Sequence, residues 1–174
     1  MVKKNGFTLI EILVVVGLFG IIAVISSASF FSLLRGSTKA KTASNVKQNG
    51  DYALGVMERM IRNARYLEKN SDSTPEDEQI CELGMTKIKI KNPDGGSTEF
   101  SCGDDKISSN SADLISDEII VDCSFDCQRQ EDGSFKPDVV TIDFILSSGG
   151  PSARPEELAL ISFKTTISLR NIPE

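Results

Sequence analysis

One feature narrows the possible folds more than any other: residues 7–26 form a run of 20 mostly apolar residues that contains a single charge, Glu11. About 20 such residues make a helix long enough to cross a bilayer. The 140 residues after position 34 can bury only a modest core. This run is therefore read as an anchor and not as the interior of a soluble domain. Lys3 and Lys4 precede it and would stay on the cytoplasmic side. Glu11 does not suit a plain anchor. A carboxylate in such a run costs roughly 2.5–3.5 kcal/mol on insertion scales, so a partner charge is expected for it.

No proline occurs before Pro75, so nothing forces a break between Phe7 and about Leu67. About 60 helical residues would reach roughly 90 Å, far more than a bilayer. Gly17, Gly20, Gly36, Gly50 and Gly55 soften the helix, each by about 1 kcal/mol relative to Ala. Gly36-Ser37-Thr38 is the expected bend. Beyond Leu34 the pattern becomes amphipathic. Val46, Ala53, Met57, Met60, Ile61, Ala64 and Leu67 recur at spacings of three, four and seven, while Lys47, Asp51, Glu58, Arg62 and Arg65 fall largely on other faces. The domain plan is residues 1–6 as a leader, 7–34 as a membrane or filament-core helix, 35–69 as an amphipathic half, and 70–174 as a β-sheet domain.

Residues 70–78 read as a polar loop. Strand signals follow: 86–91 with Ile88 and Ile90 on one face, then 118–122, then 138–146 with Val140, Ile142, Phe144 and Leu146 inward, then 157–170 with Ile161, Phe163, Thr165, Ile167 and Leu169 on one side. Asn92-Pro93-Asp94-Gly95-Gly96 marks a turn. Strands joined by turns suggest an antiparallel sheet whose apolar face covers the helix stripe, an α+β layer pair.

Cys81, Cys102, Cys123 and Cys127 all follow the apolar run, where an oxidising exterior would keep disulfides. Four cysteines allow three connectivities. The expected pairs are Cys123–Cys127 and Cys81–Cys102, because each closes a local loop. A zinc site at these cysteines is the alternative, but the spacing between the pairs is irregular.

The chain has no histidine, which removes Ser-His and Cys-His nucleophiles and histidine metal sites. A net charge of −6 argues against binding nucleic acid, which needs a basic surface. Lys39, Lys41, Lys47, Arg59, Arg62 and Arg65 spread over several helix faces and read as solvated surface. Asp104, Asp105, Asp113, Asp117 and Glu118 match no calcium loop pattern and read as a solvated acidic loop. No cofactor, metal or catalytic site is expected, and the chain is not read as an enzyme.

The stretch Gly6-Phe7-Thr8-Leu9-Ile10-Glu11, with its short basic leader and unbroken apolar helix, resembles the class III signal of type IV pilins and pseudopilins, the prepilin-type amino-terminal methylation site. The likeness covers residues 3–25. It implies cleavage between Gly6 and Phe7 by a prepilin peptidase, which also methylates the new terminus at Phe7. Glu11 then becomes the assembly glutamate, fifth in the mature chain. Loss of Lys3 and Lys4 leaves 17 basic and 25 acidic side chains, a side-chain net of −8. The new cationic terminus and Glu11 would lower each other's cost in hydrocarbon. The implied partners are the peptidase/methyltransferase, other pilin or pseudopilin subunits and the membrane. The implied location is a single pass of the cytoplasmic membrane with the sheet domain outside, then a periplasmic or extracellular filament. Arg62-Asn63-Ala64-Arg65 is loosely similar to helices of minor, J-type or W-type members. A cleaved secretory signal fits poorly, because the apolar run is long and small residues come only at 26–29. A membrane-anchored extracellular binding module that keeps its leader is the alternative.

Overall fold

The computed structural model describes residue 6 and residues 8–68, 83–128, 139–149 and 153–170. Its first element is a single helix, α1 (Leu9–Asn63), 55 residues long and continuous through Gly36-Ser37-Thr38, where a bend was expected. At 1.5 Å per residue it reaches about 80 Å. Thr38 does not break it, because its hydroxyl donates to the Leu34 carbonyl at 3.1 Å. Ser27 and Ser29 turn their hydroxyls inward in the same way, onto Ala23 and Ile25, so these polar groups are satisfied within a helix that has no other cover.

Among the described residues eight strands follow: β1 (Tyr66–Glu68), β2 (Lys87–Lys91), β3 (Ser97–Gly103), β4 (Lys106–Ser109), β5 (Ala112–Asp113), β6 (Ile119–Gln128), β7 (Val139–Ser148) and β8 (Ala159–Ser168). They form two antiparallel sheets, one of five strands in the order β1-β2-β3-β4-β5 and one of three in the order β6-β7-β8. The α+β reading holds, with a second sheet added. The helix packs on β8 and β7.

The buried stripe of α1 is Val46, Gly50, Ala53, Met57 and Ile61. Opposite it stand Val140, Ile142, Phe144 and Leu146 of β7 and Phe163 and Ile167 of β8, all buried. Phe144 and Phe163 are cross-strand partners whose rings stack at 5.0 Å. Gly50 was expected only to soften the helix. It is instead a notch for Phe163, because a Cβ there would lie 2.1 Å from the ring.

The helix ends at Asn63, four residues short of the expected Leu67. Ala64 takes an extended conformation, and Arg65 donates its N–H to the Lys91 carbonyl at 2.8 Å. Ala64 and Leu67 are still buried, but in an extended link and a strand. The apolar spacing that suggested a longer helix thus serves two elements.

Strands β3, β4 and β5 were not expected. Residues 97–113 are rich in Ser and Asp, so the alternation of Thr98, Phe100, Cys102 and Ile107 toward the core is diluted. The chain turns between β3 and β4 at Asp104 and Asp105 and between β4 and β5 at Asn110 and Ser111, all with positive φ. Two such residues in a row give the twist that a two-residue hairpin loop needs, and Asp and Asn tolerate it best among residues with side chains. Thr98 is buried and polar, and its hydroxyl accepts from the Asn92 side chain at 2.9 Å. The strand expected at 118–122 extends to Gln128 as β6. Met85 and Phe125 exchange both backbone hydrogen bonds at 2.8 Å and join the two sheets.

Candidate processing and assembly site

Thr8 is the N-cap of α1. Its hydroxyl accepts from the Glu11 N–H at 3.3 Å, and the Thr8 N–H donates back to Glu11 Oε2 at 3.5 Å. This is a capping box, Thr-x-x-Glu, which satisfies two of the helix's free donors reciprocally. The sequence carries that spacing openly, although the expectation for Glu11 was a partner charge and not a neighbouring backbone N–H. Glu11 also sits in the first turn, where the helix dipole favours a negative charge. Its side chain is exposed, as are all described residues from Thr8 to Lys41. Gly6 is exposed with open space around it. Phe7 lies outside the described residues. The geometry is thus a helix start that holds a carboxylate by one oxygen and leaves lone pairs for a further donor.

From Leu9 through the apolar run the helix buries nothing within the chain, and it is long and apolar enough to cross a membrane. The side chains Leu13, Val16, Phe19, Ile22 and Ile25 are all more than half exposed. Such a surface needs lipid or other helices around it.

The cysteines pair differently from expectation. Cys102 of β3 is bonded to Cys123 of β6, with Cα atoms 5.8 Å apart. Cys127 is also disulfide-bonded, and its partner lies outside the described residues, as does Cys81. The expected Cys123–Cys127 and Cys81–Cys102 pairs are therefore corrected. Cys123 and Cys127 lie on one extended strand, where four residues span about 13 Å, twice what a disulfide bridges. Cys102–Cys123 instead crosses from one sheet to the other, so the staple is between layers and not within a loop.

The acidic stretch 104–118 is divided. Lys106 reaches Asp117 at 2.5 Å and Asp113 at 3.6 Å. The Asp117 hydrogen bond raises the Lys106 pKa, and Lys106 lowers that of Asp117. Among the described residues no group of three His, Cys, Asp or Glu is placed to hold a metal ion. In the basic cluster, Lys47 pairs with Asp51 at 3.1 Å and Arg62 with Glu58. Both are exposed one-turn pairs, worth a few tenths of a kcal/mol each.

Residues 1–27 match the family model described as the prokaryotic N-terminal methylation motif. No curated protein and no solved structure matches the chain. The matched segment ends inside the exposed part of α1 and includes Gly6, Thr8 and Glu11. The chain thus joins this methylation motif to one long helix laid on antiparallel sheets, a pilin-like arrangement.

Proposed function

We propose that this protein is a structural subunit of a type IV pilus or a related secretion or competence filament, and a minor subunit rather than the major one. It is made as a single-pass membrane precursor with the sheet domain outside the cytoplasm. A prepilin peptidase cuts between Gly6 and Phe7 and methylates Phe7. The observation that carries this reading is the coincidence of the methylation motif with a helix that exposes its whole apolar circumference. The loose similarity of Arg62-Asn63-Ala64-Arg65 to minor subunits supports the finer assignment. Work of this kind is mechanical and needs no catalytic residue.

In the filament the exposed half of α1 packs against its counterparts. Glu11, held through one oxygen by the Thr8 N–H, takes the cationic terminus of a neighbour through its remaining lone pairs. Charge pairing in a low-dielectric core is steep with distance, so the pair selects the axial register at which a subunit docks. Glu11→Ala then leaves insertion and leader cleavage intact and removes the protein from the sheared filament fraction. Normal incorporation of that variant into filaments contradicts the role given to Glu11. A processed wild-type chain that never co-sediments with filaments contradicts the subunit reading and favours an anchored binding module.

A further inference from the structure

Charge is segregated along this chain. Between Glu11 and Asp51 there is no acidic residue, while Arg35, Lys39, Lys41 and Lys47 are basic. Residues 51–174 hold every other acidic side chain, 24 of the 25, against 13 of the 19 basic ones. Arg35, Lys39 and Lys41 are exposed on α1 below the point where the sheets begin to cover it, and among the described residues no carboxylate pairs with them. Cations just beyond a membrane span on the exterior side run against the usual distribution of charge, so this stretch calls for an anionic partner.

The head supplies one at a matching height. The Asp105 carbonyl accepts from the Val121 N–H at 3.1 Å, which draws the β3–β4 turn against the start of β6. Ser116 donates its N–H and hydroxyl to Asn49 Oδ1 at 3.0 and 2.8 Å, which ties the loop before β6 to the helix. Glu118 lines an open groove together with Lys41, Asn45 and Gln48. Asp104, Asp105, Glu118 and Asp122 therefore form an exposed acidic rim level with about residues 41–49 of the helix, none of them in an ion pair among the described residues. Asp117, beside them, is already engaged by Lys106.

We propose that Arg35, Lys39 and Lys41 dock on the acidic rim of a second copy of this chain, a head-to-stalk contact that repeats along the filament. The proposal rests on the filament reading and adds a second, exterior determinant of register to Glu11. Parallel helices place residues 35–41 of one copy level with residues 41–49 of the next when the copies are offset by up to roughly 21 Å along the axis, at 1.5 Å per residue. The contact is heterologous, because the stalk of one copy meets the head of another, so it propagates and does not close into a dimer. Each exposed pair is weak, but like charges across such a contact are costly, which makes it a selector of partner and register.

The test uses full-length chains carrying two different tags, co-produced in a host that assembles the filament, with co-capture after mild detergent as the readout. R35E/K39E/K41E alone and D104K/D105K/E118K alone are each expected to lower co-capture of like copies about tenfold. Mixing the two variants restores it, because each stalk then faces a head of opposite charge in both directions. Cross-linked cysteines on a non-reducing gel check that each variant has folded. Wild-type co-capture by either variant, or no rescue on mixing, overturns the proposal. So does loss confined to the stalk variant together with weaker binding to phosphatidylglycerol vesicles, which assigns the cations to lipid headgroups. Amino-terminal mass on the same samples separates the two levels: a processed chain with unaltered co-capture overturns this docking alone, while a chain still starting at Met1 overturns the filament reading and this docking with it.

Discussion

The two halves of α1 share one backbone and opposite surroundings. From Leu9 to Ala40 every residue is exposed; from Val46 to Ile61 one side is buried against a sheet. In the first half no apolar side chain is buried among the described residues. In the second, the buried positions face β7 and β8, and Gly50 meets the Phe163 ring. The difference teaches where this chain stores its stability and where it stores its capacity to associate.

That comparison can be broken most forcefully at the aromatic stack. Phe163→Ala removes a ring that is 8% exposed and packed on Phe144 and Gly50. It should cost about 3–5 kcal/mol of domain stability in denaturant unfolding. Phe19→Ala, in the first half, should leave that transition unmoved. An equal loss at both positions would mean that the apolar half is also part of the folded core.

Next is the staple between sheets. Cys102→Ser opens a link between residues 21 apart, and unfolding should become easier by roughly 3 kcal/mol. Peptide mapping without reduction should recover residues 102 and 123 in one linked species. Recovery of a Cys123–Cys127 link would refute the account of β6 as one extended strand.

Glycines sharpen the contrast further. Gly50→Ala forces a Cβ into the Phe163 ring and should destabilise by about 1–2 kcal/mol after its gain in helix propensity. Gly55 has open space around it, so Gly55→Ala should stabilise by about 0.5–1 kcal/mol. Matching signs in thermal melts would contradict the notch.

The smallest effect is electrostatic and lies in the head. The Ser97 hydroxyl, with Lys91 and Lys89 close by, holds the Glu68 carboxyl below its ordinary value of 4.5. A lowered carboxylate pKa contributes stability that is complete above 4.5 and is lost as pH falls through the folded value. Glu68→Gln should therefore lower stability slightly at pH 7 to 9, change little well below the folded value, and so flatten the acid limb of the profile. Lys164, raised by the hydrogen bond and charge of Asp143, works at the other end. Its contribution is complete below 10.5 and lost as pH rises through the higher folded value. An acid limb unchanged by Glu68→Gln would remove Glu68 from the account.

Much of this was legible because the signals are long. An apolar run of 20 residues admits few readings, and the inward faces of β7 and β8 alternate over ten residues each. Residues 97–113 hid three strands because their inward positions are separated by serines and a pair of aspartates that looked like loop acids. Those aspartates are turn residues chosen for backbone shape. Gly50 looked like a weakness because its role depends on a ring 113 residues away, which no local pattern reveals. The disulfide failed for a related reason: proximity in sequence was taken for proximity in space, and a strand holds i and i+4 apart. The capping box at Thr8 and Glu11 was in plain view, but the carboxylate's cost in lipid drew attention to distant partners before the neighbouring N–H.

The central claim is that this helix start is a processing site. Its most direct test is the mass of the amino-terminal peptide from protein extracted from native membranes. The account predicts a peptide beginning at N-methylated Phe7, with Lys3 and Lys4 gone. A terminus still at Met1, in cells whose prepilin peptidase is active, would contradict it.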